Sequence, residues 1–456
     1  MIRLTAIVAM IAYTGGLHWI YISLHDYGLM PAWLAVIATL LLAAYVSLFV
    51  VGAVAVIRWL KLPLRHPLTP FAAAAVITLF EWLRGTLLTG FPWLAFGYLV
   101  IDTPLAGFAS VIGVYGVGFL AIVCVLWLTQ AIRWRNWFAL AATVTTLAGG
   151  FVLGHQHFTQ PHGKALRVAL VQGAIPQSMK FDPARETQAL QTHLELARTA
   201  AVPGGAQLIV FPETAMVRPW THAPAEFRDA FSRLARQSGS TVMLGLPLHD
   251  PDGYRNSLIA ISPTSKPDAI DARYDKHHLV PFGEFIPLGF RWFVDMMKMP
   301  LGDFQRGLPV QPAIAVADQH IAVNICFEDL FGEEIIRPIG HYAHSEREPN
   351  LLLNISNLAW FGDTIALSQH LDIARMRSLE TGRPTIRATN TGVTAAIDHR
   401  GRVMEQLPRN QQGLLFTQVQ GMQGITPFTR FGNLPVLMLS VALILGGLLR
   451  RLRTAQ

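Results

Sequence analysis

The sequence predicts two fold classes in one chain, an α-helical membrane bundle of about six spans and an α/β layered domain. Three observations carry this. Six stretches are charge-free or nearly so: 4–25, 30–57, 67–94, 103–132, 137–154 and 431–449. Each supplies the roughly 20 residues that cross a bilayer as helix. The basic residues of the short linking loops fall at alternate ends of successive stretches. Between 166 and 420 the pattern changes to short β-rich runs separated by helical segments. At 52% hydrophobic and 14% charged residues, the chain is too apolar for one soluble globule.

The first stretch invites a signal-peptide reading. It lacks a small-residue cleavage site and runs on into Trp19 and Tyr21, so it reads as a retained helix. The third stretch, 67–94, carries Glu81 and Arg84. Arg84 is costly in an apolar segment unless paired; it either pairs with Glu81 on the same helix face or lines a lipid access path. Arg3, the Arg58/Lys61/Arg65 cluster, Arg133/Arg135 and Arg450/Arg451/Arg453 mark cytoplasmic ends by the positive-inside rule. Both termini are then cytoplasmic, and the segment between the fifth and sixth spans folds outside. Residues 1–160 form the N-terminal membrane domain, 161–425 the extracytoplasmic domain, and 426–456 the last helix with its basic tail.

Charge follows the same division. Residues 164–430 hold 26 basic and 26 acidic residues; the remainder holds ten and three, which accounts for the net +7. A basic pI usually raises nucleic acid as a partner, but here the excess flanks apolar segments, so the expected partner is the bilayer and not nucleic acid.

In the middle domain, candidate strands are 166–172, 207–211, 241–246, 257–262, 321–326, 351–355, 385–388 and 394–397, with helices near 184–201, 225–238 and 364–381. Alternation of this kind argues for an α/β layered domain with buried strands. Two loops stand apart. Residues 285–304 are very apolar, and 215–224 place Met216 and Trp220 just after Glu213. These are packed core segments or a lipid-facing arm that admits acyl chains.

Three strand-like ends carry chemistry: Phe211-Pro212-Glu213, Tyr274-Asp275-Lys276 and Asn324-Ile325-Cys326. Taken singly each is weak, since a loop Glu or Lys is usually solvated and a free Cys usually packs. Together they supply a nucleophile, a carboxylate base whose pKa burial can raise, and an ammonium for an oxyanion. The backbone N–H of Phe327 could complete the oxyanion hole. Cys124, the only other cysteine, lies in an apolar stretch, so the domain keeps a lone thiol where disulfides are permitted. His277 and His278 suggest a metal, but no carboxylate or Cys spacing completes a site, so no metal or cofactor is expected.

The order and contexts of Glu213, Lys276 and Cys326 resemble the nitrilase (carbon–nitrogen hydrolase) superfamily. The longer match is to its membrane branch, the apolipoprotein N-acyltransferases. It is carried by Gly-Gly-Leu-His-Trp-Ile-Tyr (15–21), Glu-Trp-Leu-Arg-Gly (81–85), Thr-Gly-Phe-Pro-Trp-Leu (89–94), Pro-Glu-Thr (212–214), Asp-Lys-His-His-Leu-Val-Pro-Phe-Gly-Glu (275–284), Ala-Trp-Phe-Gly-Asp (359–363) and Arg-Ala-Thr-Asn-Thr-Gly (387–392). The resemblance implies a four-layer αββα sandwich. It casts Glu213 as base, Lys276 as charge stabiliser and Cys326 as nucleophile, with Glu284 and Glu328 as supporting carboxylates that position Lys276 or relay protons. It also implies a reaction: acyl transfer from a phospholipid, through a Cys326 thioester, to the α-amine of an apolipoprotein's S-diacylglyceryl-cysteine. The expected setting is a bacterial inner membrane, with a monomer whose site faces the periplasm.

Set against that family, the chain is expected to lack the first two helices. It carries Leu358, Phe327, Phe181 and Ala174 where Asp, Tyr, Trp and Asn are common. Trp360 and Phe361 are core aromatics or line an acyl tunnel, and Trp220 is a further candidate substrate contact. Arg375, Arg377, Glu380 and Arg383 read as an ion-pair network. Two rivals remain: a membrane-tethered amidase, opposed by the apolar arm, and an inert scaffold or transporter, opposed by the intact Glu213/Lys276/Cys326 set.

Overall fold

The structure is a computed structural model. It describes residues 2–453 apart from 181–184, 201, 203–204, 267 and 292–302. Most of the apolar arm at 285–304, and Phe181, therefore lie outside the described residues.

Among the described residues three helices are long and apolar enough to cross a bilayer: Ala32–Trp59, Pro104–Trp134 and Leu434–Arg453. Ile2–Leu17 and Trp19–Tyr27, bent by 49° at their junction, make a fourth if they cross as one. Helices Thr69–Arg84 and Trp137–Leu153 are shorter, at 16 and 17 residues, roughly 25 Å at 1.5 Å per residue. The expected helix across 67–94 ends at Arg84. Beyond it the chain turns through Gly85, Gly90 and Pro92 into an irregular segment. Arg84 holds that segment by donating to the carbonyls of Phe91 (3.1 Å) and Trp93 (2.5 Å), with Glu81 3.5 Å away. Its charge is thus spent inside the protein and does not line a lipid path.

The second break lies at Gly113, whose φ of +65° interrupts helix Ala109–Trp134. A Cβ there would stand 2.2 Å from the Phe428 ring, so only glycine admits both the left-handed turn and that contact.

The middle domain begins with β1 (Gln160–Pro161), β2 (Leu166–Gln172), β3 (Leu208–Val210), β4 (Thr241–Asp250), β5 (Gly253–Ile261) and β6 (Ala272–Asp275). It continues with β7 (Ile314–Val316), β8 (Gln319–Ile325), β9 (Leu351–Ser356), β10 (Thr385–Thr389), β11 (Ala395–Ile397), β12 (Val403–Gln406), β13 (Gly413–Val419) and β14 (Met422–Gln423). One sheet runs β13-β2-β3-β4-β5-β6 and the other β12-β11-β10-β9-β8-β7. In each the inner pairs β2/β3/β4 or β8/β9/β10 are parallel and the outer pairs antiparallel. The short pair β1/β14 ties the segment leading into the domain to the one leading out.

Period-2 alternation builds the layers. In β2, Val168 and Leu170 join Ile321, Val323, Leu353 and Ile386 of the other sheet in the central core. Ala169 and Val171 point the other way, onto helices Glu186–Arg198 and Ala225–Ser238. The second sheet is backed by helix Gly332–His341, through Ile335 and Ile339, and by helix Ala366–Thr381. Ala366, Ile373 and Met376 of the latter pack in one cluster with Tyr13, Trp19, Trp93, Val114 and Tyr115 of the membrane segments. That helix is the seam between the two halves. The expected αββα layering is observed; β7, β12, β13 and helix Gly332–His341, which contains Pro338, are further elements that the sequence reading did not include.

Candidate active site

The parallel strands of both sheets end on the same side, where α/β folds leave room for ligands. Glu213 lies three residues beyond β3. Gly245 of the neighbouring β4 makes room for it, since a Cβ there would stand 2.7 Å from the Glu213 Cα. Lys276 follows β6 directly, its backbone N–H donating to the Asn256 carbonyl at 2.8 Å. Cys326 follows β8 and opens the 3₁₀ turn Cys326–Leu330. Its φ of +53° is a conformation that side-chain-bearing residues resist, of the kind that holds nucleophiles on a sharp strand-to-helix turn.

The side chains converge. The ammonium of Lys276 lies 3.0 Å from Glu284 Oε1 and 3.5 Å from Glu213 Oε1. The Asn256 amide donates one hydrogen to each of those oxygens, at 2.8 Å to Glu213 and 2.6 Å to Glu284. The second oxygens accept backbone N–H groups, Glu213 from Asn357 and Glu284 from Val280, both at 2.8 Å. Burial opposes the charge on Lys276, but Glu284 and Glu213 outweigh it and hold the ammonium above its usual range. The Cys326 thiol is pushed up by burial and next by Glu213, which also hydrogen-bonds it; Lys276 pulls the other way without prevailing. These influences favour the protonated thiol, hydrogen-bonded to Glu213, over a preformed thiolate. Such a pair suits general-base-assisted attack.

Glu328 does not sit on Lys276. It accepts four hydrogen bonds, from the backbone N–H groups of His277 (2.7 Å), His278 (3.0 Å) and Ile325 (2.7 Å) and from the Tyr274 hydroxyl (2.9 Å). Burial still raises its pKa to about 7. It ties the Lys276 segment to the Cys326 turn. Phe327 packs its ring against His278 and Phe331. His277 and His278 have protein partners, the Gly307 carbonyl and the Glu334 carboxylate.

Trp220 is placed elsewhere. It is buried in the outer core with Phe231 and donates to the Asp268 carbonyl, so it lines the helix layer and not the cluster. Phe361 packs against Trp19 at a tilt (4.4 Å) and meets Trp93 at the membrane seam; half-buried Trp360 meets Tyr27 edge-on. Arg375 pairs with Asp102 and Asp372, Arg377 with Glu380, and Arg383 with Glu348; of the expected four-residue network only the Arg377–Glu380 pair joins two members, and the others pair with separate acids.

Two participants escaped the sequence. Asn256 bridges the carboxylates, and its one signal was a polar amide in mid-strand, where such residues are depleted. Lys180 is buried beneath Glu213 and donates to the carbonyls of Glu213 (3.3 Å) and Thr214 (3.0 Å). Burial, opposed by Glu213, pushes its ammonium down to about 7.

Residues 167–425 match the carbon–nitrogen hydrolase family model, and residues 1–127 match that of the apolipoprotein N-acyltransferase N-terminal domain. The apolipoprotein N-acyltransferase of Bordetella bronchiseptica is 43% identical, covering 98% of this chain and 87% of its own. That of Ralstonia nicotianae is 47% identical over 97% of this chain and 83% of its own. A solved amidase from Nesterenkonia sp. is 20% identical, with a TM-score of 0.42 over 57% of this chain and 91% of that one. Matched at such identity along nearly its whole length, the chain belongs to the apolipoprotein N-acyltransferase family.

Proposed function

We propose that the chain carries an acyl group on Cys326 between a phospholipid and the N-terminal α-amine of a diacylated apolipoprotein. Glu213 takes the thiol proton as Sγ attacks the ester carbonyl of the phospholipid. The oxyanion that forms is met by the Lys276 ammonium and the backbone N–H of Phe327. Collapse breaks the ester C–O bond, and Glu213 returns its proton to the departing lysophospholipid oxygen. In the second half the amine attacks the thioester, Glu213 accepts a proton from it, the C–S bond breaks, and Glu213 passes that proton to the departing Sγ to regenerate the thiol. Asn256 and Glu284 fix the Lys276 ammonium, and Glu328 holds the two segments in register.

The observation that carries this reading is the convergence of the Cys326 thiol, hydrogen-bonded to Glu213, on an ammonium held by two carboxylates. Family membership supplies the substrates. Exposed Leu288 and Phe290, a few residues beyond Glu284, suit a lipid-facing arm. We further propose six spans, with 1–160 and 426–456 as the membrane part, both termini cytoplasmic, 161–425 on the periplasmic side of a bacterial inner membrane, and a monomer as the working unit.

Intact mass before and after exposure to phospholipid tests the first half. An acyl mass on Cys326, removed by hydroxylamine and matched by lysophospholipid, is expected, and Cys326→Ser abolishes it. A diacylated lipopeptide tests the second half, with an N-acylated product expected. Free fatty acid without that product would make water the acceptor, as in the amidase rival. No adduct at all would leave the domain inert.

A further inference from the structure

Cys326 needs more than its own turn to stay where it is. Its left-handed backbone persists only if neighbours hold it. The Cys326 carbonyl accepts two side-chain hydrogen bonds, from Asn354 Nδ2 at 3.3 Å and from His370 Nε2 at 3.2 Å. Asn354 belongs to the adjacent strand β9. His370 comes from the seam helix Ala366–Thr381 and is fully buried.

The chemistry of the neighbours settles the tautomer of His370. Its Nδ1 lies 2.7 Å from Arg387 Nη2, and a guanidinium has only donors to offer. Nδ1 must therefore accept, which places the ring proton on Nε2, aimed at the Cys326 carbonyl. Arg387 is itself fixed, donating to the carbonyls of His370 (3.0 Å) and Val393 (3.1 Å), with Asp329 3.7 Å away. Burial and the Arg387 charge keep the imidazole far below its ordinary pKa, so the donor is constant across working pH.

The preceding residue faces the membrane segments. Gln369 Oε1 accepts the indole N–H of Trp93 at 2.7 Å and that of Trp19 at 3.2 Å, and its amide donates to the Gly16 carbonyl at 3.2 Å. The Trp93 ring lies 5.7 Å from the His370 ring. Two successive residues of one helix thus hold the nucleophile's carbonyl on one side and two membrane aromatics on the other.

We propose that His370 is a positioning residue for Cys326, its Nε2–H fixing the nucleophile's backbone, and that Gln369 makes that position depend on the docking of Trp19 and Trp93. The proposal rests on reading Cys326 as the nucleophile. It adds that the membrane segments set the thiol's reactivity as well as deliver lipid.

Alkylation of Cys326 by iodoacetamide, scored by peptide mass in the full chain in detergent, tests this without any lipid substrate. His370→Asn keeps an acceptor for Arg387 but cannot reach the Cys326 carbonyl; His370→Gln restores an amide donor near the Nε2 position. The expected result is a drop of about tenfold or more in alkylation rate for His370→Asn, and a rate within about threefold of the parent for His370→Gln, at similar thermal midpoints. Gln369→Leu is expected to slow alkylation about three- to tenfold. A wild-type rate in His370→Asn, or equal losses in both His370 variants in step with their midpoints, overturns the clamp. An unchanged rate in Gln369→Leu overturns the membrane limb. Because alkylation needs no acyl donor, intact alkylation without acyl adduct in the parent protein counts against the acyl-transfer reading and not against the clamp.

Discussion

At the strand ends one ammonium, Lys276, faces two carboxylates, Glu213 and Glu284. Along the seam and beside it, Arg377 faces Glu380 and Arg383 faces Glu348, one for one. Both regions bury charge away from water, at a desolvation cost that pairing must offset. These two buried pairs are matched, whereas Arg375 of the same helix meets two carboxylates, Asp102 and Asp372, at the more exposed edge; Glu380 also accepts the Val114 N–H at 2.7 Å where the helix restarts after Gly113. At the strand ends Glu213 and Glu284 both push the Cys326 thiol's pKa up, which helps keep it protonated until an acyl carbonyl arrives. Matched pairs hold the halves together; the converging cluster waits for a substrate.

The seam should break hardest. Arg377→Met leaves the Glu380 carboxylate buried without its partner, and about 3 kcal/mol of stability should be lost at pH 8. Burial already raises Glu380 to about 7, with Arg377 the main opposing influence. Removing Arg377 moves that pKa further up, while the unfolded value stays near 4.5. A carboxyl whose folded pKa is raised binds its proton preferentially when folded, so its contribution to stability grows as pH falls through the folded pKa. The deficit of the variant should therefore shrink between pH 8 and pH 5. Thermal midpoints across that range check this, and a deficit independent of pH would remove Glu380 from the account.

The strand-end cluster should lose rate above all, with some stability lost too because Glu213 and Glu284 are left buried without their cation. Lys276→Met removes the ammonium that meets developing charge, and the rate of acyl-adduct formation on Cys326 should fall roughly 10²- to 10³-fold. Phospholipid binding should change little, because the ammonium acts on the transition state. A binding defect of the same size, measured by lipid titration, would recast Lys276 as a headgroup contact.

How much of this was legible depended on how local each cause was. Glu213, Lys276 and Cys326 each carry their context within a few residues, a β-rich run and then the functional group, so one dimension was enough to find them. Asn256 and His370 act on groups 43 and 44 residues away along the chain. Only the pairing of β4 with β3 and β5, and the docking of the seam helix, make them neighbours. Glu328 sits two residues from Cys326, yet its four donors come mostly from the 274–278 segment, contacts that its place in the sequence did not reveal. Trp220 misled for the opposite reason: it follows Glu213 closely, but the chain turns at Thr214 (φ +52°) and buries it in the other layer. Arg84 offered two readings, and the fold chose the ion pair because helix 69–84 stops where the backbone carbonyls of the next segment can be reached.

The two regions also differ in backbone, and the smallest prediction tests that difference. At the seam two of the left-handed residues are glycines, Gly113 and Gly382 (φ +65° and +64°), beside Leu94 (φ +60°). Around the strand ends the left-handed residues carry side chains: Ala174, Thr214, Phe282 and Cys326, with φ between +47° and +61°. Each costs roughly 1–2 kcal/mol relative to a relaxed conformation, and at Cys326 that cost holds a nucleophile. At Ala174 no such return is visible. Its N–H donates to the Asn390 carbonyl at 2.8 Å, a bond that any residue but proline would make. Asparagine tolerates this backbone better than alanine, so Ala174→Asn should stabilise the protein by about 0.5 kcal/mol, a rise of about 1 °C in the thermal midpoint, with Cys326 alkylation unchanged within about twofold. A gain in stability with unchanged alkylation would mean that strain at the strand ends is useful only where it aims the thiol. A gain accompanied by slower alkylation would mean that the loop after β2 shares the strain that holds Cys326, and that the site is tuned as one unit.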